Sequence, residues 1–369
     1  MNMMTNGRAS IPDRWITRPR DETYRSLDAL YEATRQMADN SNATVHDVRQ
    51  IEVVTDSSLS RPESLTALAL RLPDGSLTQA THWSFGQMCS LIGAPSGFMR
   101  DLPAPVAAVP LQYKLTSYNG ELVKTYVDQR DSTLRALTSP TYGRVNDHKL
   151  VDAIRQIAGN GVGDTNWIAA QMANGKEPGF YASDRDMFVF LVDRERPIEL
   201  RQHSNNRLVR LFRGFFAWNS EVGSRSLGIK TFLYCQHCDN RLIAGVDQVE
   251  QIVIRHTKRA PERFLQAAKP ALLEYATGST TGIVDAIQRA MNTRVASDHD
   301  EAVDFLNSKT SFSRSAAKAA LEQHMVEEGI PARSAWEMAQ AITAFARSIP
   351  HQDDRIDIEK QATKLLSGR

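Results

Sequence analysis

Eight cations crowd one stretch of this 369-residue chain: Arg194, Arg196, Arg201, Arg207, Arg210, Arg213, Arg225 and Lys230, interleaved with Phe212, Phe215, Phe216 and Trp218. Only Glu195, Glu199 and Glu221 oppose them there, a local excess of five positive charges. A guanidinium fork matches phosphate oxygens, and aromatic faces stack on unpaired bases, so the pattern suits single-stranded nucleic acid. Arg207, Arg210, Arg213, Arg225 and Lys230 are the expected phosphate contacts. Tyr142 and Trp218 are the expected stacking or packing residues, with Arg144 beside the tyrosine. Asn219 and Ser220 are expected to hydrogen-bond a nucleic-acid backbone. The competing explanation is that the aromatics are strand core and the arginines pair with acids elsewhere in the chain.

Four other groups could do chemistry. Cys235-Gln236-His237-Cys238 has the spacing with which two thiolates grip zinc from one turn, but a closed site needs a second pair and the sequence has none. His82, His203, His256 and Cys89 would have to fold in from a distance, so no metal is expected and a structural role for the cysteines is preferred. Gly223-Ser-Arg-Ser-Leu-Gly228-Ile-Lys230-Thr231 approaches a phosphate-binding P-loop. Ile229 is inserted before the lysine, and a strand follows where a helix is required, so an ATPase is excluded and the glycines are expected in a turn. Asp298, His299, Asp300, Glu301 and Asp304 resemble an acidic cation cluster. Ser297 with Asp300, just before Ala302, Val303 and Leu306, is better explained as a helix cap. Asp147-His148 has no nucleophile elbow near it, and no catalytic triad is spelled anywhere. No cofactor is expected.

These residues must be positioned by an α+β fold, because strands and helices are grouped along the chain rather than strictly alternating. A helix is expected between Thr23 and Met37, then a hairpin turning at Pro73-Asp74-Gly75-Ser76. Short helices follow over Trp83 to Ile92 and Pro95 to Leu102. Strands at Leu111 to Leu115 and Leu122 to Val127 are expected to flank Asn119-Gly120 as a second hairpin. Thr133 to Leu137 reads as a strand, and Asn146 as the N-cap of a helix ending near Gly159. The central region is β-rich, with strands at Met187 to Val192, Ile198 to Leu200, Leu208 to Trp218 and Leu227 to Tyr234 after a loop from Asn174 to Asp186. From Val246 the pattern turns helical: Val246 to Arg259, Glu262 to Tyr275, Ile283 to Met291, Glu301 to Leu306, Ser313 to Glu327 and Ala335 to Ile349. The expected organisation is a flexible arm over 1–20, an α+β core over 21–245 and a helical region over 246–369 packed on that core.

Composition narrows the classes further. Lys+Arg 44 against Asp+Glu 43 leaves a formal charge of +1, so a uniformly basic coat is excluded and any electrostatic site must come from local clustering. Three cysteines are too few for a disulfide framework at this length and fit a reducing, cytoplasmic setting. No signal peptide is expected at the amino terminus, and no apolar run approaches the ~20 residues that cross a bilayer, so no membrane partner is expected.

The segment Ser139-Pro-Thr-Tyr142-Gly-Arg-Val-Asn146-Asp-His-Lys-Leu-Val-Asp-Ala-Ile154 is similar to one found in a phage/plasmid-like protein family of unassigned function, the DUF-nine-three-two domain. Asn219-Ser220-Glu221-Val222-Gly223-Ser224-Arg225-Ser226-Leu227, Cys238 to Ile243 and Trp336 to Ala346 resemble further segments of that family. Together they span about Phe85 to Ala346. One departure is Arg241, where the family usually has glycine, and only Cys238 falls on its cysteine. The resemblance implies association with phages, plasmids and other mobile elements and brings no established catalytic residues. It resembles single-strand annealing recombinases in role only. The leading expectation is therefore a nucleic-acid-binding protein of a mobile element, acting on single-stranded DNA in recombination or replication, with homo-oligomerisation through the helical third. Second stands a metal-dependent nuclease or other hydrolase using Asp239, Glu221 and His237, and third a protein-interaction or inhibitor module.

Overall fold

The computed structural model describes residues 22–55, 67–119, 122–175, 177–202, 207–235, 241–242, 252–278 and 281–348, with 358, 361–362 and 364–366. The expected arm over 1–20 lies outside them. The chain opens with β1 (Thr23–Tyr24) and α1 (Leu27–Asp39), whose N-cap is Ser26. There follow β2 (Ser41–Asp47), β3 (Glu52–Thr55), β4 (Leu68–Arg71) and β5 (Leu77–Ala80), then α2 (His82–Leu91), α3 (Ser96–Arg100) and α4 (Ala104–Thr116), and finally β6 (Leu122–Asp128) and β7 (Thr133–Thr138). These strands make a six-stranded sheet in the order β2-β6-β7-β5-β4-β3, antiparallel except where β5 runs parallel to β7. Phe85, Met88 and Cys89 of α2 and Ala107, Leu111 and Leu115 of α4 pack on it.

The turn at Pro73–Ser76 joins β4 to β5 as expected, closed by the Ser76 carbonyl accepting from Leu72 N–H. Leu111 to Leu115 is the end of α4 and not a strand. Ala104, Ala107, Leu111 and Leu115 are buried at helical spacing, which outweighs the β propensity of the run. Pro110 survives inside that helix because it lies on the solvent face. The hairpin partner of β6 is accordingly β7, not a strand before Asn119.

The second sheet is built from the middle of the chain. After α5 (Asp147–Ala158) come β8 (Trp167–Ala169), β9 (Phe180–Ala182), β10 (Met187–Asp193), β11 (Ile198–Arg201), β12 (Leu208–Asn219), β13 (Leu227–Cys235), β14 (Arg241–Leu242) and β15 (Ile252–Ile254). Their order is β1-β9-β10-β12-β13-β14, with β8 on β10, β11 on β12 and β15 on β13. The expected loop from Asn174 to Asp186 thus contains strand β9. Of the expected helix from Val246 to Arg259, the described part is a strand and an irregular turn: Ile252, Val253 and Ile254 are β-branched and pair with Leu227 to Ile229.

Both faces of this sheet are buried, which is why alternation along β12 is hard to see in the sequence. Val209, Leu211, Phe215 and Ala217 point one way, and Phe212, Phe216 and Trp218 the other. The first face meets Leu27 and Leu30 of α1, Val151 and Ile154 of α5, and a helical segment made of α6 (Ala260–Arg263), a π-helical turn (Phe264–Ala268) and α7 (Lys269–Thr277). Towards the start of β12 the same face joins the helices α8 (Thr281–Asn292), α9 (His299–Lys309), α10 (Arg314–Glu328) and α11 (Ala335–Ala346). Ile198, Leu200, Val209, Leu211 and Leu233 share one core with Trp336, Met338 and Ile342, so these helices rest on the sheet directly. On the opposite face Phe190, Phe216 and Trp218 stack in a row, ring centroids 5.1 and 5.0 Å apart. Gly228, expected in a turn, is the second residue of β13: a Cβ there would come within 2.0 Å of the Trp218 ring. Gly223 does occupy a turn, at φ +84°.

Candidate functional site: a clasp between two sheets and the cleft beside it

The two sheets are joined through a buried polar cluster built from the Ser139 to Ile154 and Asn219 to Leu227 segments. Its hub is Glu221, which leaves the end of β12 with its side chain 2% exposed. One carboxylate oxygen, Oε1, accepts the backbone N–H of Asp147 at 2.9 Å. The other accepts from Arg135 Nη1 at 3.1 Å and from the Tyr126 hydroxyl at 3.3 Å, both on the amino-terminal sheet. The Glu221 carbonyl accepts from Arg144 Nε at 2.8 Å. Asn146 stands at the N-cap of α5, as expected, but its side chain makes no cap bond. Glu221 places its negative charge at the positive end of that helix instead, from 74 residues away.

The surrounding groups are held as tightly. Asn219 Nδ2 donates to the Val145 carbonyl and to Asp147 Oδ1, each at 2.7 Å. Burial, and then the neighbouring Glu221, push the Asp147 carboxyl well above the usual carboxylate range, against the Asn219 bond that lowers it. Burial works to lower the Arg135 guanidinium, but Glu221 and Tyr126 beside it leave it raised. The Tyr126 hydroxyl is pushed up to about 12 by burial and by Glu221. Arg144 lies 3.6 Å over the Tyr126 ring. Tyr142 donates its hydroxyl to the Ser220 carbonyl at 3.0 Å, and His256, its pKa lowered by burial, stacks on the Tyr142 ring at 5.0 Å.

Beside this clasp opens a cleft of about 750 Å³. One wall is α2 and the adjoining β6 and β7. The other is the turn from β9 to β10 and the loop after Glu221. Trp83 Nε1 and Gln87 Nε2 of α2 both donate to the Val222 carbonyl, at 3.0 and 2.8 Å, so the residue after the hub ties the walls together. Ser220 and Ser224 hydroxyls donate to the Arg185 carbonyl at 2.7 and 3.2 Å and fix the turn that carries Arg185. The Arg185 guanidinium carbon stands 5.8 Å from the Trp83 ring centroid, and no ion pair forms at Arg185 among the described residues. Arg100, at the end of α3, donates to the His82 carbonyl at 2.9 Å and to Ser96 Oγ at 3.2 Å. Among the described residues no aspartate or glutamate lines the cleft, whereas Arg100, Arg185, His82, Gln87 and Ser139 all do. An arginine pair without carboxylates, with an indole between polar groups, can take an anionic ligand that also carries flat apolar surface.

The residues singled out from sequence are placed differently. Arg207 pairs with Glu328 at 2.6 Å and Arg210 with Glu199 at 2.7 Å. Arg213 is 1% exposed and donates to the carbonyls of Gly278 and Ala276 behind the sheet. Arg225 pairs with Asp186 at 3.1 Å, and Lys230 sits 6% exposed opposite Phe216. Trp218, Asn219 and Ser220 are buried, while Tyr142 and Arg144 belong to the clasp. Most of these ten side chains are held by different partners, and five of them, Arg213, Trp218, Asn219, Ser220 and Lys230, are buried, so they do not form a shared open face.

His203, His237, Cys238 and Asp239 lie outside the described residues, as does the Cys235 side chain. Cys89 is free and buried, and no group of three histidines, cysteines or carboxylates is placed to hold a metal among the described residues. The acidic group at the start of α9 is a cap, as expected, but Asp298 and not Ser297 is the N-cap, accepting from Glu301 N–H at 2.9 Å. Arg100, Arg185 and Trp83 carry no signature in sequence. Arg185 falls only within a segment read as a loop, and Arg100 stands alone at a helix end. No protein-family model matches the chain, and neither a curated protein nor a solved structure does.

Proposed function

We propose that the chain is a nucleic-acid-binding protein that holds its ligand in the cleft between the two sheets. The observation that carries this is the cleft lining: two arginines and an indole, with no carboxylate among the described residues to repel phosphate. In a chain whose charges otherwise balance almost evenly, such a lining concentrates positive potential where a ligand can enter. Arg185 and Arg100 bind phosphate oxygens, and His82, Gln87 and Ser139 supply polar contacts along the strand. The resemblance to the phage/plasmid-like family is the reason to place that activity in recombination or replication of a mobile element. A hydrolase has less support, because Glu221, the described member of its three suggested ligands, already receives three hydrogen bonds through its carboxylate.

The test is fluorescence anisotropy with labelled oligonucleotides over a salt series, comparing the protein with an Arg100→Ala, Arg185→Ala double variant. For a single strand, log K falls against log salt with a slope of about 0.7 per phosphate contacted, so losing two contacts flattens it by about 1.4. Weaker binding with that flattening is the expected result. An unchanged slope, or no binding by the parent protein at low salt, refutes the proposal.

A further inference from the structure

A second, smaller concavity of about 270 Å³ adjoins the cleft. Arg100 and His82 line both, so they stand on the divide between the two spaces. The chemistry changes across that divide. The larger cleft mixes apolar side chains with polar and charged ones, among them Gln87, Ser90, Ser96, Thr138, Ser139 and Arg185. The smaller pocket is walled by Leu68, Ala80 and Phe85 with Thr81 at its edge, and no charged residue other than Arg100, besides the imidazole of His82, lines it among the described residues. Leu68 and Phe85 are each 4% exposed and belong to the core of the amino-terminal sheet, so these walls are rigid. Thr81 caps α2 through Ser84 N–H, which fixes the rim as well.

From this pairing we infer that the smaller pocket receives a single unstacked nucleobase, while the phosphate beside that base rests on Arg100 in the shared wall. The inference rests on the nucleic-acid reading of the larger cleft and specifies its substrate as single-stranded. An apolar pocket of this size has room for one base and none for a base pair, and a base can reach it only by leaving its helical stack. The Arg100 guanidinium is already oriented from behind by the His82 carbonyl and Ser96 Oγ, and it lies 5.5 Å over the Phe85 ring. A base entering beside Phe85 therefore meets an aromatic wall and a cation at once, the combination that favours unpaired nucleotides without reading their sequence.

The test compares three ligands of equal phosphate number: an ordinary single strand, the same backbone with abasic units, and a blunt duplex. The inference expects the ordinary strand to bind about tenfold more tightly than the other two. An Ala80→Leu variant, which fills the pocket, should bind the ordinary strand only as well as the abasic one. Its unchanged affinity for the abasic strand confirms that it is folded and that the phosphate contacts persist. Equal affinity of the parent protein for the ordinary and abasic strands, or for single strand and duplex, overturns the base pocket and leaves the phosphate cleft standing. Absence of binding to all three overturns the cleft itself.

Discussion

Replacing Glu221 by alanine removes the hub of the clasp. Three donors lose their acceptor: Asp147 N–H, Arg135 Nη1 and the Tyr126 hydroxyl. Arg135 matters most, because its side chain is 6% exposed and water cannot replace the carboxylate. Breaking a buried pair from one side costs about 3–5 kcal/mol, and losing the charge at the first turn of α5 adds up to ~1 kcal/mol. Against a domain stability of about 5–15 kcal/mol the variant should be severely destabilised yet still measurable in urea, followed by far-ultraviolet circular dichroism. The decisive comparison is an Arg135→Met, Glu221→Leu double variant. Exchanging both ends of a buried pair for apolar side chains is often close to neutral, so the double variant should regain about 2 kcal/mol or more over the single one. If the alanine variant loses less than about 1 kcal/mol, or the double variant is no better than the single, the clasp is not what joins the sheets and the account is refuted.

Two further outcomes follow from the same geometry. Asp147→Asn keeps an oxygen for Asn219 and removes the repulsion with Glu221. Because the folded-state pKa of Asp147 is raised above its unfolded value, the parent protein should lose stability as pH climbs from the ordinary carboxylate range towards that raised pKa. The variant should lack that loss and be the more stable at neutral pH, as read from urea midpoints at a series of pH values; a parallel pH dependence would contradict the assignment. Gly228→Ala drives a methyl into the Trp218 ring, 2.0 Å from Cζ2, and overpacking of this kind costs about 1–3 kcal/mol. Gly97→Ala, with open space around it in α3, serves as the control and should lose nothing by the same urea measurement.

Local patterns in the sequence were enough for most elements and not for the site. Strands β10 to β13 and helices α8 to α11 fall where β-branched runs and helical spacing put them, because each signal sits within a dozen residues. Leu111 to Leu115 misled because a short apolar run fits a buried helix as well as a strand, and Ile252 to Ile254 because an edge position beside β13 is not visible from neighbours in sequence. The clasp could be half seen. Asp147, Tyr142, Arg144, Asn219 and Glu221 lie in two of the segments singled out from sequence, but Tyr126 and Arg135 do not, and the bond to the first turn of α5 comes from Glu221, which no spacing rule connects to a residue 74 positions away. The cleft was not visible at all, since Arg100 ends α3 and Arg185 lies in the turn from β9 to β10, and the two come to one cleft only through tertiary packing.

The arginines of the β-rich middle explain why charge density along a chain is a poor guide to charge on a surface. A sheet buried on both faces must satisfy the carbonyls of the helix ends that abut it, and arginine reaches far enough from a strand to do so. Arg213 donates to Ala276 and Gly278 at the end of α7, and Arg196 donates to Ala276 while bonded to Asp193 at 2.6 Å. Arg207 and Arg210 likewise tie β12 to Glu328 of α10 and Glu199 of β11. Arg196 and Arg213 share the Ala276 carbonyl while Arg207 and Arg210 go to separate carboxylates, so these cations do not gather on one open face. Arg185 has no such partner among the described residues, and its backbone is fixed by two serines so that its guanidinium can face the cleft. The distinction that matters for binding is therefore whether a cation's hydrogen bonds are already used within the fold, a property that only the three-dimensional arrangement supplies.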